Sequence, residues 1–234
     1  MKPIRVLLGS PINVRKSYII DEWLDYVRSL TWGALDVYLV DNSIDDKFAK
    51  QVRARGFEVD RVEPKGAPET YIAASQNKIR ERFLKGNYDY LFSLECDNFC
   101  EPDVIERMLA YRVDNINVPY FLKQGEETTL GVQIAGYKDH NYKRYDVMPP
   151  EYMTTFMDGK TKQIDGMPSL GCSLFSRQLM EKVHFRFDPN QPGKFSDSFF
   201  HFDAMQVGMA PYVITSLIST HKRNAQWRKI GQVG

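Results

Sequence analysis

From residue 4 to residue 112 the chain alternates short β-rich runs with helical ones, and this alternation constrains the fold more than any other feature. "IRVLLG" (Ile4 to Gly9) precedes "KSYIIDEWLDYVRSL", in which Ile19, Ile20, Trp23, Leu24, Val27 and Leu30 fall at helical spacing. "LDVYLVDNS" reads as a second strand, and "DDKFAKQVRARG" as a helix closed by Gly56. "FEVDRVE" is a third strand, followed by a helix in "PETYIAASQNKIRERFLKG", with Pro68 in its first turn and Gly86 past its end. "YDYLFSLE" is the fourth strand, and "EPDVIERMLAYR" a helix opened by Pro102. Strands separated by helices of this length predict a parallel sheet built from βαβ units. Ligands of such open sheets bind beyond the carboxyl ends of the strands, which makes Pro11, Asp41 and Glu95 to Asp97 candidates for one site.

After "NINVPYF" the regularity is lost. Residues from about 122 to 165 are rich in Tyr, Lys, Gly and Pro, the composition of irregular segments that carry specificity on a rigid scaffold. Order returns with "PSLGCSLFS" as a strand, "RQLMEKV" as a short helix, "SDSFFHFDAMQVG" as a helix and "APYVITSLIS" as a last strand. The chain closes on a basic stretch with His221, Lys222, Arg223, Arg228 and Lys229 around Trp227. No repeat or linker divides it. A hydrophobic fraction of 43% can fill a substantial core, and a net charge of +1 lacks the cationic excess that drives non-specific nucleic-acid binding. No apolar run reaches the ~20 residues that span a bilayer, and the apolar run at the start is too short for a signal peptide. Cys96, Cys100 and Cys172 match no zinc spacing, so the expectation is a reduced, cytoplasmic-type protein.

The fourth strand runs directly into two acids, Glu95 and Asp97, one residue apart. In an extended chain residues i and i+2 point to the same side, roughly 6–7 Å apart. A carboxylate in a partly dehydrated site costs several kcal/mol unless it is paired, and two together raise one pKa unless a cation joins them. Two readings fit: a solvated acidic turn, or oxygen ligands for Mg²⁺ or Mn²⁺ completed by waters and substrate phosphates.

The order of the motifs supplies more. Glu95-Cys96-Asp97 ends strand four, "LVDNS" ends strand two, and "AASQNKIRERFLKGNYDYLFSLECD" runs through helix and strand between them. "LGCSLFSRQLMEKVHFRFD" and "SDSFFHFDAMQVG" follow in the second half, and "VITSLISTH" ends on His221. This succession resembles the GT-A fold glycosyltransferases, family 2 of the nucleotide-sugar-dependent enzymes in particular. The resemblance implies one GT-A domain over residues 1–234, with a Rossmann-like, mostly parallel central sheet flanked by helices. Residues 1–121 would form the nucleotide-binding half, 122–221 the acceptor-binding half, and 222–234 a basic tail closing over the donor. Asp97 would hold Mn²⁺ or Mg²⁺ on the donor diphosphate, with His221 as a further ligand and Glu95 near the ribose or a metal-bound water. Asp41 would read the nucleobase, since a carboxylate accepts the imide N–H of uracil. Pro11, Asn77, Arg15 and Lys222 would line the donor, with Lys16 beside Arg15 at the diphosphate. Gly171 would lie on the acceptor side. Asp197 would be the catalytic base, with Gly208 eleven residues beyond it as the family's spacing asks and Asp203 as the rival acid. The chain departs from the family in carrying Glu95 for the commoner Asp, Ser196 for the usual Glu, and Asn13 one position early.

The implied reaction is metal-dependent transfer of a sugar from a nucleoside-diphosphate sugar, UDP-linked, to an acceptor hydroxyl with inversion. Retention occurs on the same fold. The acceptor could be a glycan, lipid, protein or modified nucleic acid. A sugar-nucleotide pyrophosphorylase or nucleotidyltransferase needs a Gly-rich phosphate loop after strand one, and "LLGSPINVRK" has one Gly. A non-catalytic nucleotide-sugar or carbohydrate-binding module is the non-enzyme alternative. A HAD-type phosphatase is excluded, because strand one does not end in the nucleophilic Asp it requires.

Overall fold

The computed structural model describes residues 3–124, 127–130, 132–135, 145–147, 153, 155–191 and 194–222. The expected alternation is present as β1 (Val6–Ile12), α1 (Ile20–Ser29), β2 (Leu35–Asp41), α2 (Lys47–Ala54), β3 (Glu58–Arg61), α3 (Pro68–Lys85) and β4 (Tyr90–Leu94). β5 (Asn98–Phe99), α4 (Val104–Leu109) and β6 (Asn115–Asn117) follow. The middle of the chain supplies short strands: β7 (Phe121–Gln124), β8 (Glu127–Leu130), β9 (Val132–Ala135), β10 (Tyr145–Val147), β11 (Thr161–Gln163) and β12 (Gly166–Pro168). β13 (Cys172–Ser176), α5 (Arg177–Lys182), α6 (Ser196–Gln206), β14 (Tyr212–Ile214) and β15 (Thr220–His221) complete the described elements.

Among the described residues the main sheet has eight strands in the order β11-β14-β6-β13-β4-β1-β2-β3. β4, β1, β2 and β3 are mutually parallel, as the crossover helices require. β13 is antiparallel to both β4 and β6, and β11 to β14, so the sheet is mostly rather than wholly parallel. The last strand is shorter than its apolar run suggested: β14 ends at Ile214, and the chain then leaves the sheet to pair β15 with β5. β1 in turn is longer, continuing through Pro11 to Ile12. Its partner β4 pairs only as far as Gly9, so beyond that point β1 is hydrogen-bonded to β2 alone and a proline is tolerated.

Alternate residues of each strand feed two cores. Val6 and Leu8 of β1 and Phe92 of β4 meet Trp23, Leu24, Phe48 and Ile105 on one face. Leu7, Leu91 and Phe175 meet Ile79, Phe83, Leu179 and Phe200 on the other. Each fully buried Leu, Ile or Phe contributes roughly 1.5–3 kcal/mol, so two filled faces make the sheet a rigid base for its carboxyl edge. α3 lies directly on β1, because a Cβ on Gly9 would stand 2.2 Å from Ile79 Cγ2.

His201, on α6, is fully buried beside Phe175 and Phe200. Burial pushes its imidazole down to about 3, so it stays neutral in the fold. The unfolded chain protonates near 6.5 and binds the extra proton between that pH and about 3. Stability therefore falls as pH drops through this window, by at most about 1.4 kcal/mol per unit for this group. Denaturant titrations of wild type and His201→Phe at pH 6.5 and 4.5 should show the wild type losing about 2–3 kcal/mol more than the variant. Parallel losses would show that His201 does not titrate on unfolding.

Candidate active site

The carboxyl ends of β1, β2 and β4 open onto a cavity of about 1220 Å³. Pro11, Arg15, Lys16, Asn42, Glu95, Asp97, Tyr120, Asp197 and His221 are among its lining residues. β4 ends at Leu94, and the chain then turns, Asn98 N donating to Glu95 O at 2.9 Å. The two acids are thus brought together by a turn, not by the extended spacing expected for them. His221 arrives from the far end of the chain: β15 pairs His221 opposite Asn98, and Lys222 N donates to Asp97 O at 2.8 Å. Glu95, Asp97 and His221 each offer a ligand atom, and these atoms all lie within 4.8 Å of one another.

His221 Nε2 is 3.3 Å from Asp97 Oδ2 and 3.8 Å from Glu95 Oε2. Its ring is stacked on Tyr120, centroids 4.8 Å apart, which holds the imidazole plane toward the acids. Lys16 Nζ pairs with the same Asp97 Oδ2, while Asp97 Oδ1 is buried with no hydrogen-bond partner among the described residues. Burial acts to raise the Asp97 carboxyl, but the hydrogen bond from His221 and the charge of Lys16 outweigh it and hold the group below its ordinary value. Burial and the neighbouring Asp97 push Glu95 the other way, above the usual carboxylate range. Its side chain is nonetheless 44% exposed by area, because it faces the open cavity from the floor.

Asp197 stands on the same cavity, in the first turn of α6, where Ser198 N donates to its Oδ1 at 2.7 Å. Burial raises its carboxyl above the ordinary aspartate value. Ser196 beside it hydrogen-bonds Gln76 of α3, tying the helix start to the cavity wall. Asp203, the rival acid, is held by Arg186 through Nε–Oδ2 at 2.6 Å and Nη2–Oδ1 at 3.0 Å, and it does not line the cavity.

Three expected residues lie off the cavity surface, and a fourth lines it with its ammonium paired elsewhere. Asp41 is fully buried, accepting from Ser43 N and Oγ and from Arg61, and the adjacent Asn42 takes its place on the cavity wall. Asn77 is turned away from the cavity, its amide bonded in both directions to the backbone of Phe185 at 2.6 and 3.0 Å. Gly171 does not line the cavity either; a Cβ there would stand 2.4 Å from Asn98 Nδ2 and 2.9 Å from Tyr120 Cε1, so its bareness lets the chain before β13 close on the acidic turn. Lys222 reaches the rim, but its ammonium pairs with Glu22 and lies 4.5 Å from the centre of the Phe99 ring. Arg223, Trp227, Arg228 and Lys229 lie outside the described residues. Tyr120 and Asn98, which orient His221 and Glu95, carry no local sequence signal; only the long-range pairing reveals them.

This arrangement is a GT-A-like fold, with its acidic turn after β4 and its sheet edge opening on the cavity. The mannosyltransferase PcManGT from Pyrobaculum calidifontis, solved in complex with GDP-Man and Mn²⁺, matches over 99% of this chain with a TM-score of 0.62 at 13% identity. TarS 1-349 from S. aureus matches over 93% with a TM-score of 0.56 at 12% identity, and has also been solved with UDP. This chain spans 60% of the length of each. A197 from STIV matches over 94% of this chain and 87% of its own, with a TM-score of 0.50 at 15% identity. No family model and no curated protein sequence matches the chain. No described helix is long and apolar enough to cross a membrane.

Proposed function

We propose that this protein is a metal-dependent glycosyltransferase that moves a sugar from a nucleoside-diphosphate sugar, UDP-linked, to an acceptor hydroxyl with inversion. The observation that carries this reading is the Glu95–Asp97–His221 cluster on the floor of a cavity whose wall holds Asp197. The donor set fits a divalent cation: two carboxylates and an imidazole suit Mn²⁺ better than Mg²⁺, and the buried Asp97 Oδ1 finds no donor among the described residues. Asp97 and His221 would hold the ion, with Glu95 toward the ribose or a bound water. When bound, it would neutralise charge growing on the leaving diphosphate.

The chain's own residues would do the rest. Residues 1–121 form the nucleotide half and 122–221 the acceptor half of a single domain. Pro11 and Arg15 border the donor at the end of β1, where Arg15 is exposed at the cavity mouth. Asp197 takes the proton from the acceptor hydroxyl as it attacks the anomeric carbon, and its raised pKa strengthens it as a base. Two neighbours have been solved with different nucleotides, GDP-Man and UDP, so the base is a choice the screen below has to make. A thermal-shift screen of nucleotide sugars with Mn²⁺ and Mg²⁺ tests the reading. Stabilisation by a UDP-sugar that requires the cation is expected, and indifference to every nucleotide sugar with either ion would overturn it.

A further inference from the structure

Asp97 is 1% exposed, yet the oxygen it turns toward its partners, Oδ2, is shared between Lys16 Nζ and His221 Nε2. That oxygen belongs to the cluster read above as the cation site. An ammonium carries three donors and no lone pair, so it cannot join a divalent ion's coordination shell and is repelled by the ion's charge. Lys16 and a cation therefore compete for Asp97. The backbone under Lys16 is fixed: Asn13 Nδ2 donates to Asn42 O and Oδ1 at 3.0 and 2.7 Å, Asn13 Oδ1 accepts from Arg15 N, and Val14 N donates to Ser43 Oγ at 2.8 Å. The side chain is not so confined. It is 24% exposed, lines the cavity, and rises from a short 3-10 turn (Val14–Lys16) whose other residues face solvent. Its neighbour Arg15 lines the same cavity, so both cations stand on the side where a diphosphate would enter.

We propose that Lys16 is a displaceable internal counter-ion: it holds Asp97 in the free protein and passes to the donor diphosphate when the cation binds, making cation and nucleotide binding mutually dependent. The proposal rests on Asp97 as a cation ligand. Without a cation, Lys16 neutralises a buried carboxylate that would otherwise be costly. With a cation but no nucleotide, the displaced ammonium has no anion to meet, and cation binding is weak. With both, the diphosphate accepts it, and each ligand tightens the other by the same factor. A purely structural ion pair makes the opposite forecast, since removing it would loosen the site and weaken the cation.

The test is binding of Mn²⁺, followed by electron paramagnetic resonance of the free ion, to wild type and Lys16→Met with and without UDP. Lys16→Met should bind Mn²⁺ alone about 10-fold more tightly than wild type, and the tightening by UDP, of the order of 5–150-fold for coupled sites, should fall below about 3-fold. Equal or weaker binding of Mn²⁺ alone by a folded Lys16→Met overturns the proposal. A second readout uses wild type alone: acylation of the Lys16 amine, followed by mass spectrometry, should accelerate on adding Mn²⁺ and slow again with UDP. An unchanged rate also overturns it. Wild type that binds no Mn²⁺ even with UDP removes the cation site itself, whereas wild type that binds it while Lys16→Met behaves identically removes only the role of Lys16.

Discussion

Asp97→Ala is expected to abolish metal-dependent binding of a nucleoside diphosphate, weakening UDP in the presence of Mn²⁺ by more than about 100-fold, while the fold persists. The loss is large because Asp97 lies at the centre of the cluster: His221 Nε2 and Lys16 Nζ both converge on its Oδ2, and its backbone carbonyl anchors β15 through Lys222 N. Alanine keeps that backbone bond and removes only the carboxylate. Breaking a buried ion pair by deleting one partner commonly costs about 3–5 kcal/mol, chiefly through the charge left behind. Here the remaining charge is Lys16, which is partly exposed and can return to water, so the cost should be well below that range. Calorimetry with UDP and Mn²⁺, paired with a thermal melt of the free protein, checks both halves. Unchanged UDP affinity in the variant would take Asp97 out of the site.

Asp197→Asn should retain donor binding and lower sugar transfer by ~10²–10⁴-fold, the usual worth of a positioned base. The change is nearly isosteric, and the Glu95–Asp97–His221 cluster draws on other residues. Asp203→Asn should leave transfer close to wild type. Its carboxylate is committed to Arg186, and because that pair is about one-third exposed, its loss should cost stability of only about 1 kcal/mol. The pH profile adds a sign: a base acts only when ionised, so transfer should fall with acid through an Asp197 pKa lying above the ordinary aspartate value. Donor hydrolysis can serve as the assay before the acceptor is known, although water is a poorer nucleophile and compresses the difference. An inactive Asp203→Asn beside a normally active Asp197→Asn would reverse the assignment on α6.

The strand and helix order of the first 110 residues was readable because periodicity is local: Ile20, Trp23, Leu24 and Val27 repeat at helical spacing and all are buried. Antiparallel β13 was not readable as such, since its apolar run "CSLFS" suits a buried strand in either direction. At the site, Glu95 and Asp97 stand out as charges after an apolar strand. What surrounds them does not, because the contacts span the chain: Lys16 meets Asp97 across 81 positions, and His221 reaches it by pairing two-residue strands too short to show in sequence. Two expectations that miss the cavity share one cause. Asp41 and Asn77 lie on elements that do border the cavity, but motif position does not say which way a side chain turns, and each is claimed by another partner: Ser43 and Arg61, and Phe185.

The most direct measurement of the central claim is an anomalous-scattering map from crystals grown with Mn²⁺ and UDP. The expected result is a Mn²⁺ peak in coordination contact with Asp97 and His221, with the diphosphate of UDP on its open side and Lys16 withdrawn from Asp97 Oδ2. A diphosphate bound with no Mn²⁺ peak among Glu95, Asp97 and His221, or a peak held by other residues, would contradict it.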